Sequence, residues 1–409
     1  MAERQALSQH WLSAERLRLY PWALVVWYAL VAWTFHSQAQ GMALHGEPIG
    51  SDFIAYWTAS DLALEGDPSK AYDQAAIAEV QRRMVPDRLA FAPWIYPPTF
   101  LLLVLPLALL PYLWSYLAFM AVTFTGCLVV LRRLAPRAAG VVLLLAFPGS
   151  FEVVVHGQNG FLSVALAGAG LLWLERRPVL AGVAFGLLTF KPQLGLLIPL
   201  ALACAGAWRA MFSAAVTAVV FMGLSLTALG ADTLMAFVDS VATSSRWLSE
   251  GHFRLIKMPT IFALLRLTGA SAGLALTIHL LVALLVAALV AVVWRRSHNH
   301  RLRAAVLTAG TMLASPYFFD YDFIWLALPL AFVSADALVN GWRRGEREYL
   351  LFIWLLPLLV SQLHGWLPAP WAAIPLLGLF LLTVRRALLP ARGDGDAAVA
   401  AAQPPSSAS

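Results

Sequence analysis

Tyr20-Pro21-Trp22-Ala23-Leu24-Val25-Val26-Trp27-Tyr28-Ala29-Leu30 opens an apolar run that extends to about residue 39. Apolar runs of this kind recur along nearly the whole chain of 409 residues, which is 60% hydrophobic and only 12% charged, with a mean hydropathy of +0.74. Soluble domains carry about 25% charged residues, so this composition excludes a soluble globule. Because a bilayer is spanned only by helices or closed barrels, we predict an all-α polytopic membrane protein.

Arginine clusters between the apolar runs indicate the cytoplasmic side, where Lys and Arg are enriched. The clusters are Arg132-Arg133 with Arg137, Arg176-Arg177, Arg209, Arg295-Arg296 through Arg303, Arg343-Arg344 with Arg347, and Arg385-Arg386. The candidate spans are about 20–39, 97–131, 138–155, 159–175, 178–206, 208–229, 271–294, 303–315, 322–340, 349–364 and 370–386. Because these clusters explain the net charge of +6, that charge does not indicate a nucleic-acid partner.

Two candidate spans, 97–131 and 178–206, are too long for one crossing at about 1.5 Å per residue, and both contain prolines. Dividing 178–206 at Lys191-Pro192 keeps every arginine cluster on the cytoplasmic side. The same division of 97–131 would place Arg132 and Arg133 outside, so either one piece is re-entrant or the charge rule is broken there. We therefore predict about 11–13 transmembrane or re-entrant helices.

The two ends of the chain differ from its apolar body. Residues 1–19 are polar and basic, and no small-residue cleavage site follows the first apolar run, which predicts a cytoplasmic N-terminal segment and a retained first helix. Residues 20–390 are expected to form one domain in the inner (plasma) membrane, with both termini cytoplasmic. The tail 391–409, rich in Ala, Pro and Ser, is expected to be disordered. Cys127 and Cys204 lie inside apolar runs and predict neither a disulfide nor a metal site.

Four polar pieces face outward on this topology: 40–95, the turn at 156–159, 230–258 and 315–322. The first is rich in acidic residues. Its stretch 53–85 alternates aromatic, small and charged residues, which is typical of an amphipathic helix lying on a membrane surface. Since four outward pieces converge on one side, we predict a pocket between them.

Asp52, in Ser51-Asp52-Phe53-Ile54-Ala55-Tyr56-Trp57, lies just beyond the first apolar run. A carboxylate that faces a water-filled cavity at the membrane surface is suited to chemistry on a lipid-borne substrate. The alternative is a solvated interfacial acid or a helix cap, and the residue type alone does not decide between them.

Lys191, in Thr189-Phe190-Lys191-Pro192-Gln193, is one of only three lysines in the chain. An ammonium between two apolar halves costs a few kcal/mol unless it reaches water, an anion or the interface. Pro192 breaks the helix and frees backbone groups to face a cavity. We predict an anion contact, for example with a lipid phosphate, and the alternative is a lysine that snorkels to the interface.

The turn His156-Gly157-Gln158-Asn159 offers donors and acceptors suited to sugar hydroxyls, although a bare polar turn is the alternative. Arg254 and Lys257, in the third outward piece, oppose the charge rule. They therefore favour an anionic partner, and phospholipid headgroups would serve equally well.

Ser315-Pro316-Tyr317-Phe318-Phe319-Asp320-Tyr321-Asp322 ends one apolar segment and begins another. Two carboxylates among aromatic residues predict a second polar wall of the pocket. The alternative is that Asp320 and Asp322 cap the helix that follows, which fits Asp322 better than Asp320.

Several stretches, taken in order, resemble a known family. They are 51–57 with Gly66-Asp67-Pro68 and Ala71-Tyr72-Asp73, then Tyr96-Pro97-Pro98-Thr99-Phe100 followed by 106–111, Gly157-Gln158-Asn159, Ala181-Gly182 to Gly186 with Lys191-Pro192, and Ser315-Pro316. Together they resemble glycosyltransferase family 87, the polyprenol-phosphate-mannose-dependent mannosyltransferase-like proteins of the C-type membrane glycosyltransferase superfamily. The resemblance covers roughly residues 20–340. No single stretch is specific, but the ordered set is.

The resemblance implies an aspartate after the first helix that acts on the acceptor hydroxyl, and Asp52 occupies that place. It also implies a sugar donor carried on a polyprenyl phosphate and used at the extracytoplasmic face. Tyr56 and Tyr96 lie in the matching stretches, and we predict that they bind substrate. Family members often carry a histidine shortly after the last Ser-Pro, where this chain has Asp320-Tyr321-Asp322.

The chemistry of such a donor agrees with these residues. Phosphate is already a weakly basic leaving group, so the paired carboxylates of glycosidases are not required. One base for the acceptor hydroxyl and cations for the departing phosphate suffice. Asp52 is the predicted base, and Lys191, with Arg254 or Lys257, supplies the predicted cations.

The predicted function is hexose transfer, with mannose as the expected sugar, to a lipid or glycan acceptor of the cell envelope. The expected partners are the polyprenyl-phosphate donor, that acceptor and membrane lipids. No cofactor is predicted, and although acidic residues are numerous enough for a divalent metal, no ligand spacing marks one. The alternatives are a transporter, in which matched broken helices in internal repeats are common, and a non-catalytic assembly factor for envelope polysaccharide.

Overall fold

The computed structural model describes residues 11, 13–38, 43–44, 47–48, 50–86, 92–136, 140–250, 255–363 and 366–389. The regular structure in these ranges is helical apart from one antiparallel pair of two-residue strands, Ala43–Leu44 and Glu47–Pro48. The predicted all-α class is therefore confirmed. The predicted disordered tail 391–409, most of the N-terminal segment and Arg254 lie outside the described residues.

The α-helices are, in chain order, Ala14–Gln38, Phe53–Leu64, Gln74–Met84, Pro98–Val104, Tyr112–Leu134, Val141–Leu145, Pro148–His156, Gly160–Trp173, Pro178–Leu187, Pro192–Gly195, Ile198–Cys204, Trp208–Leu229, Ala231–Glu250, Ile261–Leu267, Ala272–Arg296, His300–Ala314, Ala327–Asn340, Glu346–Leu363 and Ala373–Leu388. The 3-10 helices are Pro68–Tyr72, Leu105–Leu109, Leu188–Phe190, Leu255–Lys257, Asp320–Leu326 and Ala369–Ala372.

Five helices in the described ranges are long and apolar enough to cross a membrane. They are Tyr112–Leu134, Trp208–Leu229, Ala272–Arg296, Asp320–Asn340 and Pro370–Leu388. Four shorter apolar helical segments accompany them, namely Pro98–Leu109, Gly160–Trp173, Pro178–Phe190 and Pro192–Cys204. The protein is thus a polytopic membrane protein. Helix Ala14–Gln38 is not among the five, so the predicted first crossing and the total of 11–13 segments stay predictions.

The stretch 97–131 divides into a short helical piece and one long helix. Pro98–Leu109 reaches about 18 Å at 1.5 Å per residue, which is less than the ~30 Å hydrocarbon core. Tyr112–Leu134 reaches about 35 Å and is long enough to cross. A single crossing keeps Arg132 and Arg133 on the cytoplasmic side, so these lengths favour the re-entrant alternative.

The helical stretch 178–206 is broken at Lys191-Pro192, as predicted. Pro178–Leu187 continues as the 3-10 turn Leu188–Phe190, and Lys191 then adopts a non-helical backbone with φ of −134° and ψ of 70°. Helices Pro192–Gly195 and Ile198–Cys204 follow. The break arises because proline disfavours a helical backbone at the preceding residue.

Two segments that are predicted to face outward differ from their predicted form. The piece 230–258 was expected to be a loop but contains the helix Ala231–Glu250. Apolar contacts stabilise that helix, and the Phe237 ring lies 5.9 Å from that of Tyr72. The stretch 53–85, expected as one amphipathic helix, forms Phe53–Leu64, Pro68–Tyr72 and Gln74–Met84. Gly66-Asp67-Pro68 interrupts it, and the first helix is buried on most sides.

The centre of the fold is the helix His300–Ala314, in which every residue from Ala304 to Ala314 is buried. It packs against Ala272–Arg296, Ala327–Asn340 and Ala373–Leu388. Both cysteines are free: Cys127 is buried and Cys204 is half-buried.

A buried charge cluster joins the last three long helices at their arginine-rich ends. Arg386 donates to Asp336 Oδ2 at 2.7 Å and also contacts Glu346. The other Asp336 oxygen accepts from the amides of Asn299 and Asn340 at 2.6 and 2.7 Å. Because each charge has partners, the cluster meets the requirement for burying ions in a protein interior.

Candidate active site

The candidate site begins at the tight turn that follows the helix Pro148–His156. Gly157 has a left-handed backbone with φ of 68°, a region that is costly for residues with a side chain. A Cβ at this position would lie 2.5 Å from Phe53 Cβ. Glycine therefore lets the turn press against the start of the helix Phe53–Leu64. The Asp52 amide donates to the His156 carbonyl at 2.8 Å, which places Asp52 beside the turn.

Gln158 fixes the orientation of the Asp52 carboxylate. Its Nε2 donates to Asp52 Oδ2 at 2.7 Å, and its Oε1 accepts from the hydroxyls of Tyr56 and Tyr96 at 2.7 and 3.1 Å. Burial raises the pKa of both tyrosines, so they remain neutral donors. Gln158 is buried while Asp52 is only half-buried. The carboxylate is thus held in place and still partly open.

Lys191 is buried and paired. Its ammonium donates to Asp322 Oδ1 at 2.5 Å and to Asn159 Oδ1 at 3.2 Å, and it lies 5.7 Å from the centre of the Tyr321 ring. The Lys191 and Asp322 side chains are each 3% exposed. This lysine therefore lies within the protein and does not snorkel to its surface.

The two consecutive amide side chains of the turn contact the two oppositely charged groups of the site, the Asp52 carboxylate and the Lys191 ammonium. Gln158 holds Asp52, and Asn159 holds Lys191. The carboxylate and the ammonium are thus each hydrogen-bonded to one of two consecutive residues, and we call this arrangement the bridge.

One polar group of this bridge is left without a partner. Asn159 is fully buried, and its Nδ2 has no hydrogen-bond acceptor in the part of the chain that the structure describes. Buried polar groups are normally satisfied. An unused donor beside a buried ammonium is therefore suited to an anionic or hydroxylic ligand.

A cavity of about 150 Å³ lies next to this bridge and is lined by four ionisable side chains, Glu152, His156, Lys257 and Asp320. His156 Nδ1 lies 3.0 Å from the Glu152 carbonyl oxygen, and its ring centre lies 6.0 Å from that of Tyr321. Tyr321 is the same ring that Lys191 approaches. The cavity and the bridge therefore adjoin through Tyr321.

The acids after Ser315-Pro316 have different surroundings. Asp322 pairs with Lys191 and also accepts, through Oδ2, from the Phe319 amide at 3.4 Å. Asp320 accepts from the Tyr321 amide at 2.9 Å and lines the cavity. Asp322 thus contacts the backbone at the start of the helical segment, as a capping residue does, while Asp320 lines the cavity.

Most of the predicted site residues converge here. The structure brings together Asp52, Tyr56, Tyr96, His156, Gln158, Asn159, Lys191, Lys257, Asp320 and Asp322. Their roles in binding or catalysis stay predictions, and Arg254 lies outside the described residues. Within the described ranges, no group of three or more His, Cys, Asp or Glu side chains is placed to hold a metal ion.

Sequence reasoning missed Glu152, which lines the cavity, and Tyr321, whose ring lies near the Lys191 ammonium. Glu152 carried a usable signal, because an ionisable residue inside a membrane-length apolar run is by default a functional candidate. Tyr321 carried none, since an aromatic residue in such a segment is ordinary.

Comparison with known proteins identifies the family. The sequence profile of glycosyltransferase family 87 matches residues 94–316, just over half of the chain. The matched range contains Tyr96, the 156–159 turn and Lys191, whereas Asp52 and Asp322 lie outside it. No curated protein and no solved structure matches the chain. Because the profile covers more than half of the sequence, the protein belongs to glycosyltransferase family 87 and is a membrane glycosyltransferase.

Proposed function

We propose that the protein transfers a hexose, with mannose as the expected sugar, from a polyprenyl-phosphate donor to a hydroxyl of a lipid or glycan acceptor of the cell envelope. The reaction takes place at the extracytoplasmic face of the inner (plasma) membrane. Asp52 acts as the general base, and Lys191 and Lys257 provide positive charge for the phosphate. The protein works as one integral-membrane domain over residues 20–390, with both termini cytoplasmic.

The observation that carries this proposal is the bridge Asp52–Gln158/Asn159–Lys191. Transfer from a sugar phosphate requires a proton acceptor on one side of the anomeric carbon and an anion-binding group on the other. Asp52 and Lys191 lie at opposite ends of two adjacent amides, with hydrogen bonds of 2.7 and 3.2 Å. We propose that the donor's sugar ring lies between these two groups.

The proposed reaction has one bond-forming and one bond-breaking event. The acceptor hydroxyl gives its proton to Asp52, and its oxygen attacks the anomeric carbon. The bond between that carbon and the phosphate oxygen breaks, and the electron pair leaves with the polyprenyl phosphate. Asp52 then returns the proton to water or to the released phosphate. No separate general acid is needed, because the phosphate leaves as a stable anion.

Lys191 has unused capacity for that anion. An ammonium has three N–H donors, and Asp322 and Asn159 accept from it in the described structure. The third donor and the unpartnered Nδ2 of Asn159 offer two hydrogen bonds to a phosphate oxygen. Hydrogen bonds between charged groups are about twice as strong as neutral ones. Lys257, in the adjoining cavity, adds a second cation.

The donor's polyprenyl tail needs apolar surface that faces lipid. The helices Trp208–Leu229 and Ala272–Arg296 provide it, with large apolar side chains that are mostly exposed, such as Phe212 at 73% and Leu284 at 67%. Lipid-facing residues of this kind are compatible with a tail that stays in the bilayer while the phosphate enters the site.

The test is an assay of purified protein in nanodiscs with labelled polyprenyl-phosphate hexose and an envelope glycolipid extract as the acceptor. We expect a labelled glycosidic product with the wild type. Asp52→Asn is nearly isosteric and keeps an acceptor for Gln158, so it should fold normally and lose about 10²- to 10⁴-fold in rate. Glu79→Gln is the matched control, because Glu79 is a half-exposed acid of the same loop, and it should transfer as the wild type does.

Near-normal transfer by Asp52→Asn would remove Asp52 from the role of base. Movement of labelled sugar across proteoliposomes without a new glycosidic bond would favour the transporter. Absence of both transfer and transport, with intact binding of envelope glycan, would favour the assembly factor.

A further inference from the structure

A second and larger cavity lies away from the Asp52–Lys191 bridge. It has a volume of about 310 Å³ and is formed by the segment 69–77, the segment 93–95 and one face of the helix Ala231–Glu250. Cavities that bind small molecules occupy about 300–1,000 Å³. This cavity is therefore large enough for a ligand, and the proposed reaction assigns it no role.

The lining combines aromatic surfaces with uncharged and acidic polar groups. Tyr72 and Trp94 supply the aromatic surfaces, while Gln74, Ser240, Asp73 and Asp239 supply donors and acceptors. Trp94 is 3% exposed, and its Nε1 has no hydrogen-bond partner among the residues that the structure describes. Polar groups placed around aromatic walls are typical of a binding pocket, in which they fix the ligand's orientation.

The charge of the lining excludes the phosphate end of the donor. None of the described residues that line this cavity is Lys, Arg or His, and two of them are aspartates. Like charges repel, and a partly enclosed site screens that repulsion less than water does. A neutral ligand rich in hydroxyl groups is the chemistry that this lining fits.

An aromatic layer connects the cavity to the bridge. The Trp94 ring centre lies 5.3 Å from that of Tyr96 and 6.1 Å from that of Tyr56. Both tyrosines donate to Gln158, which holds Asp52. Trp94 thus has one side toward the cavity and the other toward the residues that orient the proposed base.

From these contacts we infer that the 310 Å³ cavity binds a neutral saccharide unit of the acceptor and thereby selects a glycan-bearing acceptor. This inference rests on the proposed transfer reaction. The donor sugar does not fit the same place, since its phosphate would be brought close to Asp73 and Asp239.

The test measures binding and needs no turnover. The probes are a panel of methyl hexobiosides, covering mannose, glucose and galactose, and a short-chain polyprenyl-phosphate hexose as the donor analogue. Ala236→Phe and Ser240→Phe each place a ring in the cavity, since both residues line it. Val238→Phe is the matched control, because Val238 lies on the same helix, is 51% exposed and does not line the cavity. Each variant is first checked for monodisperse elution. Ala236→Phe and Ser240→Phe are called the filled variants, and one of them that folds is enough for the test.

We expect at least one hexobioside to bind the wild type and Asp52→Asn equally well. A filled variant should weaken that binding by at least about tenfold, or about 1.4 kcal/mol, and Val238→Phe should stay within about twofold. Binding of the donor analogue should be unchanged in all four variants. This result stands even if transfer itself is not observed, so it is separable from the test of the proposed reaction.

Three outcomes overturn the inference. The first is that no hexobioside binds the wild type. The second is that the folded, filled variants bind a hexobioside as tightly as the wild type does. The third is that they lose the donor analogue instead, which would place the donor sugar in this cavity.

Discussion

The buried pair Lys191–Asp322 supports a quantitative prediction about stability. Both side chains are 3% exposed and 2.5 Å apart, so water does not replace a partner that is removed. Breaking a buried ion pair by removing one partner costs about 3–5 kcal/mol. Lys191→Met leaves the Asp322 carboxylate, among the described residues, with the Phe319 amide at 3.4 Å as its remaining donor. We therefore expect a loss in the free energy of unfolding near the upper end of that range.

Asp322→Leu should cost less than Lys191→Met. The stranded ammonium keeps Asn159 Oδ1 at 3.2 Å and the Tyr321 ring at 5.7 Å, which places the loss near the lower end of the range. The double variant should lie within about 1 kcal/mol of the wild type, because replacing a whole buried pair by apolar residues is often neutral.

The assay is unfolding by SDS titration in mixed micelles, followed by the fluorescence of the chain's 16 tryptophans. Lys70→Met is the control, since the Lys70–Asp67 pair is about half exposed at 3.6 Å and surface pairs contribute about 0–1 kcal/mol. Two results would contradict this prediction. One is that Lys191→Met lowers the free energy of unfolding no more than Lys70→Met does, and the other is that the loss in the double variant equals the sum of the losses in the two single variants.

Three further predictions concern other parts of the molecule. Gly157→Ala should destabilise the protein by at least about 1–2 kcal/mol, because it adds left-handed strain and a contact with Phe53; thermal unfolding checks this, and an unchanged melting temperature would contradict it. Arg386→Met should cost about 3–5 kcal/mol by leaving Asp336 unpaired, with the KM for the donor unchanged in the folded fraction. Burial raises the pKa of Tyr56, so the stability this group contributes is full below the unfolded tyrosine pKa of about 10 and declines as pH rises above it. Between pH 9 and 11, Tyr56→Phe should show a shallower decline than the wild type, and parallel curves would count against this.

The features that could be predicted from the sequence are those with local causes. The break at Lys191-Pro192 follows from proline chemistry within two residues. The all-α membrane class follows from composition. The turn at 157 was recognisable because glycine and polar amides interrupt apolar runs.

The partnerships within the site were not predictable in this way. Gln158 and Asp52 are 106 positions apart, and Lys191 and Asp322 are 131 apart. Hydrophobic periodicity does not determine which distant polar groups meet. Lys191 was predicted to contact an anion such as a lipid phosphate, and in the structure it also pairs with Asp322, a residue that was predicted to belong to a second wall of the pocket.

The helix Ala231–Glu250 illustrates a second limit. Its sequence is polar enough to suggest a loop, and its apolar positions, such as Phe237, have partners only in the segment near Tyr72. Tertiary contacts stabilise most helices of this kind more than their intrinsic propensity does.

The adjacency of Gln158 and Asn159 in the chain has a consequence for how the protein responds to its lipid environment. Helices tilt when the hydrocarbon thickness around them changes, and side chains carried on separate helices then move relative to one another. Asp52 and Lys191 lie on different segments, but each is hydrogen-bonded to one of two consecutive residues of the same turn. Because these hydrogen bonds oppose relative movement of the carboxylate and the ammonium, we expect thinner or thicker bilayers to alter the delivery of lipid to the site more than the spacing of these two groups.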